Sequence, residues 1–365
     1  MPALNTPAAP GPTPPAQIEA TPAVVSTAIA GLDPQELRII EVYRRYSPAV
    51  VNINTQVLRS DFFYGVYPEE GSGSGFVWDA QGHIITNYHV IEDATQITVS
   101  FGEGQERTAQ VVGVDPPNDL AVIKVADLPD GIEPMPLGDS DALVVGQFAI
   151  AIGNPFGQFE RTLTVGVVSA VNRTLRLDND RLLRGVVQTD ASINRGNSGG
   201  PLLDSRGQLI GVNTAIFSPT GASAGVGLAI PVNKLKLVVP VLIAEGRFPH
   251  PWLGIEGLGY ELSSDLSRAL NLPVQQGLLL ARVYQGSPAE QAGLRTATQT
   301  ALLGFQQYLI GGDILTAIDG APLASWDDLR AYLDEQTEVG QTVRLTVWRD
   351  GQQVEVDVTV GQEPF

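Results

Sequence analysis

The chain has 365 residues, 43% of them apolar and 17% charged, a length that suits two or three hydrophobic cores rather than one. Acidic residues outnumber basic ones 40 to 22, for a net charge of −18, which sets aside nucleic-acid backbone binding as the main task and favours neutral or apolar polypeptide as partner. There is no cysteine and there are three histidines, so a disulfide framework, a thiolate zinc site and a cysteine nucleophile are excluded; HExxH, P-loop and paired-glycine dinucleotide signatures are missing too, and no metal or cofactor is expected.

The first segment, 1–32, begins "MPALNTPAAPGPTPPAQIEATPAVVS". Its Pro, Ala and Thr content, without a basic n-region or an apolar h-region, reads as an extended linker, and a linker in that place raises the expectation of an anchor or signal upstream. A helix is predicted from about residue 34, with Asp33 as N-cap, Pro34 at the first helical position and Leu37, Ile40, Val42 and Tyr43 near helical spacing.

A long region of strand-sized, β-branched runs follows, among them "AVVNINTQV", "SGFVWD", "HIITNYHVI", "LAVIKV", "QFAIAIG", "LTVGVVSAV" and "GVGLAIPV", separated by turn sequences such as "DPPND" and "GNPFG". Many strands with few intervening helices point to antiparallel barrels or sandwiches. "NKLKLVVPVLIA" predicts a closing helix despite Pro240, and the longest apolar runs fall well short of the ~20 residues of a spanning helix. The Gly and Pro content of "EGRFPHPW" marks a boundary near 247, giving domains at 33–246 and 247–365.

The second domain reads as a small α+β unit. In "GLLLARVYQGSPAEQAGL" a strand leads into a helix with Ser287 as cap, Pro288 first, Glu290 completing a capping box and Gly293 as stop. "GDILTAIDGAPL" predicts two strands about an Asp-Gly turn, Ser325 and Asp328 open the helix "WDDLRAYLDEQ", and "TVRLTVWRDGQQVEVDVTV" predicts a hairpin about Asp350-Gly351.

One stretch does not fit a structural purpose alone. In "NRGNSGGPLL", 194–203, glycines surround Ser198, and glycine weakens strands and helices unless the backbone must turn sharply or be approached closely. A serine hydroxyl needs a base to become a nucleophile. His83 lies in a turn and His250 in a Pro-flanked linker, both read as solvated, whereas His89 ends an apolar run on which a scaffold can hold it. A carboxylate must sit behind such an imidazole. Asp119 opens a run that reads as buried, while Asp115, its nearest competitor, precedes two prolines and reads as turn chemistry. Taken singly, each residue has a structural reading: Ser198 in a hairpin turn, His89 hydrogen-bonded in a core, Asp119 as a turn carboxylate.

"TNYHVI", "NDLAVIKV" and "TDASINRGNSGGPL", in that order, resemble the trypsin-like serine peptidases and specifically the HtrA (Deg) family, and the second domain resembles that family's PDZ module, present here once where some members have two. The resemblance implies a mainly β fold: a chymotrypsin-like double β-barrel followed by a small α+β PDZ domain. It implies an ATP-independent endopeptidase for unfolded or misfolded polypeptide, in trimers or larger homo-oligomers, outside the cytoplasm in the periplasm or cell envelope. Residue by residue it makes His89, Asp119 and Ser198 catalytic, with an oxyanion hole from the amides of Gly196 and Ser198. It makes Ser192, Ile193 and Asn194, with the 217–227 loop, walls of the substrate pocket. Ser192 stands six before the serine, where an acid would favour basic residues, so cleavage after small or medium apolar residues is expected. Trp252, Leu253, Gly254 and Ile255 would bind a peptide C-terminal carboxylate, with the adjoining strand taking the peptide as an added strand.

Some features depart from that pattern. Tyr88 replaces the usual Asn beside the histidine, and 294–311 is longer than the usual connection in the PDZ module, so it is either an excursion or a cover for the groove. Phe62, Phe63 and Tyr64 are candidates for contact with a neighbour or with active-site loops, and 161–184 contains the loop that would reorganise between resting and active states. The alternative from another class is a holdase or PDZ scaffold whose protease domain is catalytically silent.

Overall fold

Asp33 starts helix α1 (Pro34–Tyr46) as a full capping box: its carboxylate accepts from Gln35 N and Glu36 N, and Glu36 returns a carboxylate to Asp33 N at 2.8 Å. Such a cap is worth ~1 kcal/mol. The computed structural model describes residues 31–61, 65–102, 104–154, 161–176, 182–194, 196–216, 225–257 and 261–364. Residues 1–30 of the predicted 1–32 linker and the aromatics Phe62, Phe63 and Tyr64 lie outside them. The chain forms two units, Met1–Arg247 and Phe248–Phe365.

In the first unit, β1 (Val50–Asp61), β2 (Gly65–Val77), β3 (His83–Thr86), β4 (Gln96–Ser100), β5 (Glu106–Thr108), β6 (Gln110–Asp115) and β7 (Leu120–Lys124) pair antiparallel in the order β5-β4-β1-β2-β3-β7-β6. The one-turn helix α2 (Tyr88–Ile91) follows β3. A second set closes into a barrel, in the order β10-β13-β12-β11-β8-β9. Its strands are β8 (Phe148–Gly153), β9 (Thr162–Arg176), β10 (Leu182–Thr189), β11 (Pro201–Leu203), β12 (Leu209–Ile216) and β13 (Gly227–Pro231). Ile53, Phe76, Ile84, Ile85, Leu120 and Ile123 are fully buried on the strands of the first set; Ala149, Ala151, Val187, Ile193, Leu202 and Ile210 pack together in the second. This alternation of bulky and small residues suits a filled barrel interior.

Arg161, at the start of β9, ties the two sets and α1 together. Its guanidinium donates to Val50 O at 2.8 Å and to Phe101 O, while its own carbonyl accepts from Tyr43 Oη at 2.7 Å. Burial pulls its pKa below the usual guanidinium value. Helix α3 (Val232–Glu245) closes the unit with Pro240 inside it; an interior proline costs ~3 kcal/mol, offset here by burial of Leu235, Val238, Val239 and Leu242.

The second unit runs β14 (Pro251–Trp252), β15 (Ile255–Glu256), β16 (Glu261–Leu262), α4 (Ser264–Ala269), β17 (Gly277–Leu279), β18 (Arg282–Val283), α5 (Pro288–Gln291), β19 (Gln299–Leu303) and β20 (Gln306–Ile310). It continues with β21 (Ile314–Ile318), β22 (Ala321–Pro322), α6 (Trp326–Gln336), β23 (Thr342–Arg349), β24 (Gln352–Thr359) and β25 (Gly361–Gln362). The main sheet has the order β16-β17-β21-β23-β24, and α6 buries Leu329 and Leu333 in the core of this unit. Both Asp-Gly turns carry the paired positive φ of a two-residue hairpin, 45° and 80° at Asp319-Gly320 and 49° and 82° at Asp350-Gly351. The long 294–311 stretch forms the hairpin β19–β20, turning at Gly304, with Leu302 and Phe305 exposed. The predicted capping box at Ser287 is half formed: Ser287 Oγ accepts from Glu290 N at 3.1 Å, but Glu290 Oε2 takes Gly286 N rather than the cap residue's own amide.

Candidate active site

β3 stops at Thr86 because Asn87 turns the chain, with φ −80° and ψ 149°, into α2; His89 therefore sits on a one-turn helix rather than at the end of a strand. Asn87 Nδ2 donates to Asp119 O at 3.1 Å, and Tyr88 N donates to the same carbonyl at 3.1 Å. Tyr88, at the position that departs from the family pattern, is thus bound to the Asp119 segment through its backbone.

Asp119 does not open β7 but closes the Pro116–Asp119 turn at φ 55°, donating its amide to Pro116 O at 3.1 Å. A left-handed conformation at a non-glycine residue costs of order 1–3 kcal/mol and persists where the surroundings over-determine it. Here the surroundings hold the carboxylate. His89 Nδ1 lies 2.8 Å from Oδ2 and 3.0 Å from Oδ1, His89 N donates to Oδ1 at 3.0 Å, and Thr214 Oγ1 donates to Oδ2 at 2.5 Å. The Asp119 side chain is 1% exposed and that of His89 40%. A carboxylate on Nδ1 keeps the proton there and leaves Nε2 with its lone pair, the form a base requires.

Ser198 reaches this assembly through Thr214. Its hydroxyl donates to Thr214 O at 3.2 Å, while the Thr214 side chain holds Asp119. Among the described residues no hydrogen bond joins His89 to Ser198, so the direct contact expected of a base and its nucleophile is not made in this conformation. The neighbouring glycine is pressed against the residues that lead into α2. A Cβ on Gly199 would stand 2.1 Å from Ser74 O, 2.4 Å from Thr86 Oγ1 and 3.2 Å from Asn87 N. Gly199 and Gly200 are thus glycines of close approach, the latter against Ile152 O.

Gly196 has φ 102° and Gly199 φ 83°. The amides of Gly196 and Ser198 donate to no group among the described residues, whereas Asn197 N donates to Asn194 O at 3.0 Å and Gly200 N to Asn197 O at 2.9 Å. Of the three expected pocket residues, Ser192 and Asn194 are exposed. Ile193 is not: it is 1% exposed in the core of the second barrel and touches Gly227, so it offers no surface to a substrate. Residues 217–224 of the second pocket wall, and 177–181 of the loop between β9 and β10, lie outside the described residues.

His83, read as a solvated turn histidine, is buried at the start of β3, its Nδ1 2.6 Å from Asp79 Oδ2. Asp115 is a buried turn carboxylate that accepts from Asn118 Nδ2 at 2.7 Å.

In the second unit, Trp252 pairs with Gly361 in the two-stranded β14–β25 ladder, Leu253 is buried and its carbonyl accepts from Ala289 N at 2.9 Å. Gly254 takes φ 80°, and a Cβ there would lie 2.1 Å from Ser287 Cβ. Tyr284 N donates to Gly254 O at 2.9 Å while Ile255 pairs with Val283. In an antiparallel ladder this puts Ile255 at a non-hydrogen-bonded position, so its own N–H and C=O point away from β18. Gly257 lies against the Trp326 indole at the start of α6.

Residues 73–212 match the trypsin-like peptidase domain family and residues 257–360 the PDZ domain family. Protease Do-like 1, chloroplastic, of Arabidopsis thaliana is 40% identical over 350 residues, 95% of this chain and 77% of that protein. The chain belongs to the HtrA/Deg family of trypsin-like serine proteases. Periplasmic pH-dependent serine endoprotease DegQ of Escherichia coli is 38% identical over 341 residues, 93% of this chain and 68% of DegQ. The HtrA-type protease AlgW, solved with a decapeptide, superposes with a TM-score of 0.70 at 35% identity, covering 90% of this chain and 99% of AlgW. This HtrA/Deg chain is a serine endopeptidase with a mainly β protease domain followed by one PDZ domain. No helix among its described residues is long and apolar enough to cross a membrane.

Sequence reasoning missed Thr214, Ser74, Asn52 and Asn154. A signal existed for Ser74: "GSGSG", 71–75, puts glycine at every second position of β2, and Cβ atoms at 71, 73 and 75 would collide with Thr55, Val90 and Ile53. Thr214, inside the apolar run of β12, gave none.

Proposed function

We propose that His89, Asp119 and Ser198 form the catalytic triad of an ATP-independent endopeptidase that degrades unfolded or misfolded polypeptide. The observation that carries this reading is the buried Asp119 carboxylate, which holds His89 Nδ1 at 2.8 Å and, through Thr214, the segment that receives the Ser198 hydroxyl. Rotation about the Ser198 Cα–Cβ bond releases Oγ from Thr214 O. His89 Nε2 then takes the hydroxyl proton as Oγ attacks the scissile carbonyl, Asp119 stabilises the imidazolium, and the same proton passes to the leaving amine. The Gly196 and Ser198 amides, which have no acceptor among the described residues, receive the oxyanion; one such donor is worth ~3 kcal/mol of barrier.

Cleavage follows small or medium apolar residues. Ser192 supplies no charge at the position where an acid would pair with a buried Lys or Arg. The PDZ domain takes a peptide C-terminus on the amides of Leu253, Gly254 and Ile255, with the outward edge of Ile255 continuing the added strand. The enzyme works outside the cytoplasm as a homotrimer or larger assembly; the relatives DegP and DegQ are named periplasmic.

Labelling by a fluorophosphonate, with digestion of unfolded casein and mass-spectrometric mapping of the cuts, tests the reading. Labelling of the parent but not of Ser198→Ala, with cuts after Val, Ala or Ile, is the expected result. Casein bound but uncut, without labelling, would instead identify a silent protease domain, for which the Ser198 hydroxyl on Thr214 O is the resting geometry. Cuts after Lys or Arg would overturn the pocket assignment.

A further inference from the structure

We infer that Ser74, on β2 of the first sheet, is the positioning residue that aligns the oxyanion-hole amides of the second barrel, an inference that rests on the triad assignment above. Ser74 is fully buried and meets the nucleophile loop twice: its hydroxyl donates to Gly196 O, and its amide donates to Ser198 O at 2.9 Å. The direction of the first bond is fixed by its neighbours. Asn154 N donates to Ser74 Oγ at 2.8 Å, which occupies a lone pair and leaves the single hydroxyl proton for Gly196 O. Asn154 is held in turn by Asn52 Nδ2, which donates to Asn154 O at 2.8 Å.

A trans peptide is planar, so pinning its carbonyl sets the opposite direction of its N–H. Three consecutive planes of the loop are pinned in this way. Ser74 Oγ holds the 196–197 plane, Gly200 N holds the 197–198 plane through Asn197 O at 2.9 Å, and Ser74 N holds the 198–199 plane. The far sides agree: Asn197 N finds Asn194 O at 3.0 Å and Gly199 N finds Asn213 O at 2.8 Å. The middle plane carries the Ser198 amide. The Gly196 amide belongs to the plane just before the pinned section, at a glycine free to take either sign of φ. The Ser74 hydroxyl is therefore the contact that ends the rigid section beside Gly196 N–H. Without it, rotation about Gly196 misdirects one donor, while His89, Asp119 and the pocket residues keep their contacts.

The test compares Ser74→Ala with the parent enzyme on a peptide substrate and on a matching peptidyl boronate, whose tetrahedral adduct carries the oxyanion. The expected result is a fall in kcat and in boronate affinity of about tenfold to a hundredfold, less than the roughly hundredfold to thousandfold loss when a hole donor is removed outright, because the misdirected amide is still present, with KM within threefold and the acid limb of the kcat/KM pH profile unmoved. Ser74→Cys, of similar shape but a weaker donor, falls between the two, and supplies the comparison if the alanine variant does not fold. Equal losses of substrate and boronate binding, or a kcat within twofold of the parent, overturn the inference. Fluorophosphonate labelling separates the two levels. A parent enzyme not labelled at Ser198 fails the triad assignment itself; a labelled parent whose Ser74→Ala variant keeps its boronate affinity fails only the assignment of Ser74.

Discussion

Two histidine–aspartate pairs flank β3 of the first sheet, one at each end, and they differ in which partner faces water. His83 Nδ1 is 2.6 Å from Asp79 and His89 Nδ1 is 2.8 Å from Asp119. In the first pair the ring is 9% exposed and the carboxylate 25%; in the second the ring is 40% exposed and the carboxylate 1%. Asp79 lies four residues from its histidine and also takes the amides of Gln81 and His83, so the pair closes a turn. Asp119 is thirty residues away, at a positive φ, and is supported by Thr214. The same two side chains thus close a turn when the imidazole is covered, whereas the second pair, with its carboxylate covered and its ring exposed, has the arrangement proposed for the base.

The largest separation between the pairs is expected from their carboxylates. Asp119→Asn favours the wrong imidazole tautomer and lowers kcat by about four orders of magnitude, while Asp79→Asn leaves kcat within about twofold and lowers stability by ~1 kcal/mol, read by peptide hydrolysis and thermal denaturation. A smaller effect follows from the support behind the active pair. Thr214→Val removes the hydroxyl from Asp119 and lowers kcat about tenfold, with the thermal midpoint lowered by only a few degrees; an unchanged kcat would mean that Asp119 needs no such support. The smallest kinetic effect is expected from His83→Gln, which changes casein cleavage by less than about twofold but exposes the Asp79 turn to faster amide exchange. Loss of activity there would erase the distinction between the two pairs.

The fold was legible where local chemistry repeats. Asp33, Ser325 and the Asp-Gly turns each announced an element that forms as expected, because caps and tight turns are decided within a few residues. Of the proposed triad, His89 stood out because the chain has three histidines, Ser198 because glycines surround it, and Asp119 because of the apolar run it precedes. The local structure around them was not legible. His89 moved from a strand to a helical turn and Asp119 into a left-handed turn, since both are set by contacts across thirty residues. His83 was misread because its partner, Asp79, stands at an ordinary turn spacing. Ile193 was misread because it lies in the irregular segment after β10, where no strand alternation says which side chain turns to the core. Thr214, Asn52 and Asn154 act through contacts that join distant segments, and no short pattern encodes those.

The most direct test is a structure of the enzyme inactivated by a peptidyl phosphonate. The account predicts phosphorus bonded to Ser198 Oγ, His89 Nε2 within hydrogen-bond distance of the adduct, and a phosphoryl oxygen accepting from both Gly196 N and Ser198 N with Ser74 Oγ still on Gly196 O. An adduct on another residue, or a phosphoryl oxygen turned to solvent while those amides point elsewhere, would contradict it.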